Sequence, residues 1–222
     1  MAINDIPCTM KGAALHNISN GLGVVGLAKA LDFDTDTVVQ ALRSFQSSAS
    51  DNPGRSNLLD VGGVQVLIDY AHNVHGLEAL TPLAKNLPAK RRLVMFGQVD
   101  SHTHEEICAM TQVFTRMGLD RFVVIEILDH LRGSQPGEIP TVIHEELRRQ
   151  GIPEETISKS VDSLEGTKAT MQWAEPGDLL ILISKREAVM DYLGTLTTRR
   201  RFPDSTGGFV VFLGNSPSRI FR

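Results

Sequence analysis

Apolar residues recur at helical spacing through the first part of the chain. Between His16 and Phe45 they predict two helices, and Asp34 or Thr35 is a suitable N-cap for the second. The apolar face of the first helix consists of Ile18, Leu22, Val25, Leu27 and Leu31. The next stretch, QSSASDNPGRS, is rich in Ser, Asp, Asn, Pro and Gly and shows no apolar period. We therefore place a domain boundary there, after residues 1–51.

After this boundary, short apolar runs alternate with segments of helical period. The runs SNLLDV and VQVLID flank Gly62-Gly63, which is typical of a two-residue β-hairpin. The later strand candidates are RRLVMFG, RFVVIEI, TISKSV and DLLILIS. This alternation predicts an α/β domain over residues 52–198, in which helices flank a mixed, mostly parallel sheet of about six strands. In the tail, residues 199–222, the run GGFVVFLG is a candidate added edge strand.

Composition and charge narrow the class of protein. With 222 residues, of which 41% are hydrophobic, the chain suits one large domain or one domain plus a fragment. Its formal charge of −4 gives no sign of a general nucleic-acid binder, and no run approaches the ~18 apolar residues that span a membrane. Cys8 and Cys108 form no redox or metal pattern, and the first residues lack the features of a signal peptide. We expect a reduced, cytoplasmic protein that binds neither nucleic acid nor membranes.

A buried-strand pattern ends in a carboxylate in the stretch VQVLIDYAHNVHGLEAL. Asp69 lies at the carboxyl end of the predicted strand, and the polar residues Tyr70, His72 and Asn73 follow before the helical pattern begins. In open α/β sheets, ligands bind at the carboxyl ends of strands, and an unpaired buried carboxylate is costly. Two interpretations are open: Asp69 contacts a ligand, or it caps the next helix.

Several other motifs are incomplete. GLGVVG, Gly21 to Gly26, fits the dinucleotide fingerprint, but no buried strand precedes it, so a tightly packed helix is the better interpretation. The pairs His72/His75 and His102/His104 lack a third clear zinc ligand, so we predict loop histidines and no metal site. The sequence contains neither a G-x-S-x-G elbow nor a Walker-type G-x-x-x-x-G-K-[ST] loop. We therefore predict no catalytic nucleophile and no phosphate loop in these residues.

Three ordered motifs resemble the Mur ligase family: HNISN, NPGRSNLLDVGGVQVLIDYAHN and PGDLLILIS. This family includes the peptidoglycan-precursor amide ligases, folylpolyglutamate synthetase and cyanophycin synthetase. With the loop DHLRGSQPGEIP, the order of motifs is most similar to the cyanophycin synthetase subgroup, and the resemblance extends to about Leu196. It implies a Rossmann-like Mur ligase C-terminal domain, preceded over residues 1–51 by a two-helix remnant of the central ATPase domain.

The resemblance also implies one half of a nucleotide site. Asn20 matches the Asn that lies against adenine, Arg55 the Arg that approaches ATP from the next domain, and Asp69 the Asp that reaches the ribose and phosphate region. The accompanying site-lining candidates are His16, Asn17, Tyr70, His72 and Asn73. Arg132, in the LRG loop, is a further candidate because a guanidinium group suits the carboxylate of an incoming amino-acid substrate.

The chain also departs from the family pattern. The family's phosphate loop, Mg2+-binding acids and modified lysine lie upstream of the helix with which this chain begins, and the chain matches none of them. Val74 stands where the subgroup has Pro, and Gln98 stands where it has Asp. ATP and Mg2+ are the cofactors of the family, so we expect weak or no nucleotide binding, and no catalysis, from this chain alone.

Two functions of different classes remain open. The chain is either the C-terminal portion of an ATP-dependent acid–amino-acid ligase, or a stand-alone, catalytically inactive binding or oligomerisation module related to Mur ligases. The expected small-molecule partners are an adenine nucleotide and an amino-acid or peptide substrate. Apolar surface on the two-helix remnant predicts contact with a second copy of the chain or with the ATPase portion.

Overall fold

A computed structural model of the chain describes residues 1–48, 52–98, 102–128, 134–184 and 187–198, and the backbone of 201–203 and 209–211. The helical segment, residues 1–48, begins with two short 3-10 turns, Ile3–Asp5 and Pro7–Thr9, followed by α1 (Leu15–Ala30) and α2 (Thr35–Ser44). Both predicted helices are confirmed. The Asp34 side chain caps α2 by accepting a hydrogen bond from the amide of Thr37 at 2.9 Å.

The sheet domain, residues 52–198, contains a six-stranded sheet in the order β1-β2-β6-β3-β4-β5. Its strands are β1 (Asn57–Val61), β2 (Val64–Asp69), β3 (Arg92–Phe96), β4 (Arg121–Ile125), β5 (Ile157–Ser160) and β6 (Leu179–Ile183). β1 and β2 form the predicted antiparallel hairpin, and the other neighbouring pairs are parallel. Gly62 and Gly63 turn the hairpin with φ values of 68° and 84°, which glycine adopts without strain. The predicted mixed, mostly parallel sheet is confirmed.

Helices cover both faces of the sheet. The helices are α3 (Val74–Asn86), α4 (His104–Thr115), α5 (Glu138–Arg149), α6 (Ser163–Trp173) and α7 (Glu187–Thr198), with a 3-10 turn at Glu154–Thr156. One core joins α3, α4 and α5 to strand residues such as Leu67 and Val94, and the other joins α6 and α7 to their sequence neighbours Ile68 and Leu93. Successive strand residues point to opposite faces of the sheet, and helices cover both faces. The central strands are therefore apolar at consecutive positions, and all five residues of β6 are buried.

The strand order creates a crevice at the carboxyl end of β2. The connection after β2 leads to α3 on one face, whereas the connection after the adjacent β6 leads to α7 on the other. Such a reversal opens a space between two neighbouring strand ends, which is where ligands bind in open α/β sheets. Asp69 is the last residue of β2 and therefore lies beside this crevice.

In the tail, β7 (Arg201–Pro203) and β8 (Phe209–Val211) differ from the expected added edge strand. They pair with each other in an antiparallel two-stranded sheet, separate from the six-stranded sheet. Because only a short connection separates the two strands, local pairing satisfies their backbone groups without the edge of the larger sheet.

α1 exposes much of its apolar surface. The helical segment is anchored by Ala14, which is fully buried in the core beside α3, but α1 itself has no fully buried residue. Leu22, Leu27 and Leu31 are each between 67% and 69% exposed. The expectation that the glycines of GLGVVG mark tight packing is wrong within this chain: they lie inside α1, and a Cβ added at any of the three would meet nothing within 4 Å. α1 contacts its neighbours α2 and α3 without close packing at these three glycines. None of the helices in the described ranges is both long and apolar enough to span a membrane.

Candidate functional site

A cleft of about 520 Å3 lies between the helical segment and the carboxyl end of β2. Its lining includes every nucleotide-site and site-lining candidate of the described ranges: His16, Asn17, Asn20, Arg55, Asp69, Tyr70, His72 and Asn73. The chain thus brings together, in space, residues of α1, the 52–57 loop and the β2–α3 connection. A volume of this size is typical of sites that hold a nucleotide-sized molecule.

Asp69 is hydrogen-bonded to Ser56, the residue that precedes β1. Its Oδ2 atom accepts hydrogen bonds from the Ser56 amide at 2.8 Å and from the Ser56 hydroxyl at 3.0 Å. The N-cap of α3 is Asn73, whose side chain accepts from the amide of Gly76 at 2.8 Å. The interpretation of Asp69 as the helix cap is therefore wrong. Its other oxygen, Oδ1, accepts no hydrogen bond from any residue in the described ranges.

Arg55 lies on a loop that one buried side chain organises. Asn57 is fully buried, and its amide nitrogen donates to the carbonyls of Ser47 at 2.9 Å and Asn52 at 3.0 Å. Its Oδ1 accepts from the amide of Gly54 at 2.7 Å. All three hydrogen bonds involve Asn57, and they hold the 52–57 loop in one conformation. The backbone of Arg55 is therefore fixed, although its side chain is exposed.

The guanidinium group of Arg55 lies over an aromatic ring at the cleft. Its central carbon is 5.8 Å from the ring centroid of Tyr70, and the Tyr70 and His72 rings are 5.0 Å apart. The Nδ1 atom of His72 is 2.9 Å from the Tyr70 carbonyl, which holds the imidazole in place. Within the described ranges, Arg55 forms no ion pair with a carboxylate. Its positive charge is therefore available to an anionic ligand.

The opposite wall of the cleft belongs to α1. Asn17 donates from Nδ2 to the carbonyl of Cys8 at 2.8 Å, and its Oδ1 is 3.4 Å from the Nδ2 of Asn20. Nε2 of His16 is 3.2 Å from the Ser56 hydroxyl, which links α1 to the sheet domain. Burial raises the pKa of the Cys8 thiol, so this residue presents a neutral thiol to the cleft at neutral pH.

The sequence also singled out the candidate Arg132 and, as a departure from the family pattern, Gln98. Arg132 falls outside the described residues. Gln98 follows β3 and is 5% exposed, and its Nε2 is buried without a hydrogen-bond partner among the described residues. Sequence reasoning missed Ser56 and Asn57 as parts of the site, although both directly follow Arg55 in the motif GRSN. Their adjacency to Arg55 was the available signal.

Comparison with known proteins identifies the family of the sheet domain. Residues 54–186, more than half of the chain, match the family described as Mur ligase, glutamate ligase domain. The chain is 35% identical over 142 residues to cyanophycin synthetase of Crocosphaera subtropica, an alignment of 64% of this chain and 16% of that protein. For the cyanophycin synthetase of Synechocystis sp. the identity is 31% over 169 residues, 72% of this chain and 19% of that protein. The chain thus spans a fifth or less of these two relatives.

Solved structures share the fold. UDP-N-acetylmuramate-alanine ligase MurC of Thermotoga maritima superposes with a TM-score of 0.59 at 19% identity, over 82% of this chain and 39% of that chain. E. coli FolC in complex with ADP superposes with a TM-score of 0.54 at 19% identity, over 76% of this chain and 36% of that chain. Together with the family match over residues 54–186, these similarities show that the chain belongs to the Mur ligase family and carries its glutamate ligase domain.

Proposed function

We propose that the cleft is one half of the ATP site of an acid–amino-acid ligase similar to cyanophycin synthetase. The observation that carries this proposal is the convergence of Asn20, Arg55 and Asp69 on one cleft at a strand end. The names of the relatives support the reaction class, and the ADP complex of the related FolC structure supports an adenine nucleotide as the ligand. The chain's own part in this function is to bind and orient substrates.

Each wall of the cleft takes a different part of the nucleotide. The Asn20 side-chain amide, on α1, offers both a donor and an acceptor and suits the edge of adenine. Arg55 is exposed and has no carboxylate partner among the described residues, so it suits the phosphates. A carboxylate repels phosphate but accepts hydrogen bonds from hydroxyl groups, so Asp69 suits the ribose.

The reaction proposed for the whole ligase proceeds through an acyl phosphate. A substrate carboxylate attacks the γ-phosphate of ATP, ADP leaves, and the amine of an amino acid then displaces phosphate to form an amide. Arg132 is our candidate for binding the carboxylate of that amino acid, because of its chemistry and its loop position. Phosphoryl transfer needs a phosphate loop, and the sequence has no Walker-type motif, so we assign the loop to another segment or chain.

We assign Mg2+ to the same segment or chain as the phosphate loop. The described ranges contain no group of three or more His, Cys, Asp or Glu side chains that is arranged to hold a metal ion. The described residues therefore do not fit the metal. We expect the 222-residue chain alone to hydrolyse no ATP and to form no amide bond.

The exposed apolar face of α1 is the proposed contact surface for the ATPase portion of the ligase. Leu22, Leu27 and Leu31 are largely exposed, and large exposed apolar patches mark interaction sites. The same face favours the second candidate function, a catalytically inactive module that associates with its own copies. Light scattering at rising protein concentration separates the two: a strictly monomeric mass contradicts the self-associating module.

The nucleotide site is tested by titrating the chain with ADP and following its NMR signals. Because the phosphate loop is absent, we expect a dissociation constant near 1 mM, equivalent to ~4 kcal/mol. Arg55→Ala should weaken ADP binding about tenfold and adenosine binding much less, because it removes a charge that only the phosphates contact. Arg116→Ala is the matched control, since it removes an exposed arginine at the end of α4.

Three results would contradict the proposal. The first is wild-type chain that shows no shifts in cleft residues at 10 mM ADP, about ten times the expected dissociation constant. The second is an equal loss of ADP affinity in Arg55→Ala and Arg116→Ala, which would show that the loss comes from the change in net charge and not from a contact with Arg55. The third is ATP hydrolysis by the purified chain, which would require a phosphate site other than a Walker-type loop within these residues.

A further inference from the structure

Ser56 holds the Asp69 carboxylate from two directions. Only 3% of Ser56 is exposed, and both its amide N–H and its hydroxyl donate to the same oxygen, Oδ2, at 2.8 and 3.0 Å. Two donors from one residue fix the rotation of the carboxylate as well as its position. Oδ1 therefore remains as the acceptor that Asp69 offers to a ligand in the cleft.

The backbone of Ser56 is strained at this position. Its φ of 49° lies in the left-handed region, which residues other than glycine adopt at an energetic cost. In this conformation the amide and the hydroxyl reach one carboxylate oxygen together. Backbone strain of this kind concentrates where a structure must present a group in a fixed geometry. The strain is an observation independent of the hydrogen bonds.

His16 extends the hydrogen-bonded chain to α1. The Ser56 hydroxyl proton is used by Asp69, because a carboxylate only accepts, so the Ser56 oxygen accepts from Nε2 of His16 at 3.2 Å. The other ring nitrogen of His16, Nδ1, is buried and makes no hydrogen bond with the described residues. The orientation of Asp69 is thereby joined to the helix that forms the opposite wall of the cleft.

We propose that Ser56 is a positioning residue that presents Oδ1 of Asp69 to a ribose hydroxyl and so gives the site its preference for ribonucleotides. This inference rests on the proposed nucleotide site. The hydroxyl donors of an adenine nucleotide are on its ribose, and the amino group of adenine is assigned to Asn20 on α1. Without the Ser56 hydroxyl only the Ser56 amide still donates to Oδ2, so the rotation of the carboxylate is less restricted. A ligand hydroxyl then finds its acceptor oriented for only part of the time.

The test compares ADP with 2′,3′-dideoxy-ADP, which lacks both ribose hydroxyls, by NMR titration of the full chain. The readout is the ratio of the two dissociation constants, since a hydrogen bond to a charged group is worth about tenfold or more in affinity. We expect ADP to bind wild type about tenfold more tightly, and this ratio to fall to about twofold in Ser56→Ala. Asp69→Asn is the benchmark for loss of the carboxylate, and its ratio should be similarly low.

Ser56→Gly is the matched variant that separates positioning from folding. Glycine adopts a φ of 49° without strain, so this variant removes the hydroxyl while relieving the backbone. It should melt at a higher temperature than Ser56→Ala and yet show the same reduced ratio. If Ser56→Ala does not fold, Ser56→Gly alone carries the test.

The outcomes separate this inference from the proposed function. A ratio that stays near tenfold in both Ser56 variants overturns the positioning role and leaves the nucleotide site intact. Equal binding of the two nucleotides by wild type overturns the ribose contact of Asp69 but not the phosphate contact of Arg55. Absence of binding by wild type overturns the nucleotide site itself, and the inference with it.

Discussion

Two aspartates lie at opposite ends of the strands and differ in how completely they are bonded. Asp178, just before β6, is 1% exposed and receives two hydrogen bonds from Arg91, at 3.1 and 2.5 Å, and one from the amide of Glu175 at 2.8 Å. Asp69, at the carboxyl end of β2, receives hydrogen bonds from the described residues on only one of its oxygens. Both carboxylates adjoin strands of the sheet, but of the two only Asp178 receives hydrogen bonds from the described residues on both of its oxygens.

The surroundings of Asp178 are those of a structural group. The guanidinium group of Arg91 also stacks on Trp173, 4.1 Å from the ring centroid, so the charge that pairs with Asp178 is itself held by packing. The hydrogen bond from Arg91 is the main cause of a lowered pKa of Asp178, and burial opposes it. Among the described residues Asp69 has no donor on Oδ1, and it lies beside an open cleft. The contrast therefore supports the proposal that this edge of the sheet, and not the edge at Asp178, binds a ligand.

The largest effect that we expect is from Asp178→Ala. This change leaves the Arg91 side chain and the Glu175 amide without their acceptor, and breaking a buried pair typically costs several kcal/mol. Since the Arg91 side chain is 35% exposed and regains water, we expect a loss of about 3 kcal/mol in the free energy of unfolding. Urea denaturation of the full chain measures it. A loss below about 1 kcal/mol would mean that saturation of this carboxylate does little for stability.

An acid titration sharpens the same contrast. The pKa of Asp178 is lower in the folded chain than its ordinary value of 3.8, so its contribution to stability is fully present above about pH 5 and is lost as the pH falls through the folded pKa. Each unit of pKa difference is worth about 1.4 kcal/mol. The gap in unfolding free energy between wild type and Asp178→Asn should therefore shrink between pH 5 and pH 2. A gap that stays constant over this range would show that the charge of Asp178 is irrelevant to folding.

Much of the fold follows from local sequence because its determinants are local. The turn needs residues that accept positive φ, and Gly62-Gly63 supplies two of them between alternating runs. β6 must be apolar on both faces because helices cover both, and its five residues LLILI meet that requirement. The family resemblance then located the cleft, since Asn20, Arg55 and Asp69 lie in motifs rather than in a periodic pattern.

The bonding inside the site follows from no local pattern. The contact between Ser56 and Asp69 depends on the register of the β1–β2 hairpin and on a left-handed φ that serine rarely adopts. The sequence left open whether Asp69 caps the next helix, and only the three-dimensional path of the loop assigns that cap to Asn73. The sequence also did not predict the empty space around the three glycines of α1. Small residues on a helix indicate close packing only where another element of the same chain lies against them.

The smallest effect on stability is expected for Asp69→Asn. The asparagine side chain keeps an oxygen that accepts from the amide and hydroxyl of Ser56, so we expect a change within about 0.5 kcal/mol. Asp162→Ala, outside the cleft, is the matched control, because loss of the cap of α6 should cost about 1 kcal/mol and leave the ribose preference for ADP unchanged. Denaturation and nucleotide titration of both variants give two independent readouts. If Asp69→Asn destabilised the chain as strongly as Asp178→Ala, the Asp69 carboxylate would be a structural group like that of Asp178. The proposed difference in role between the two ends of the sheet would then be wrong.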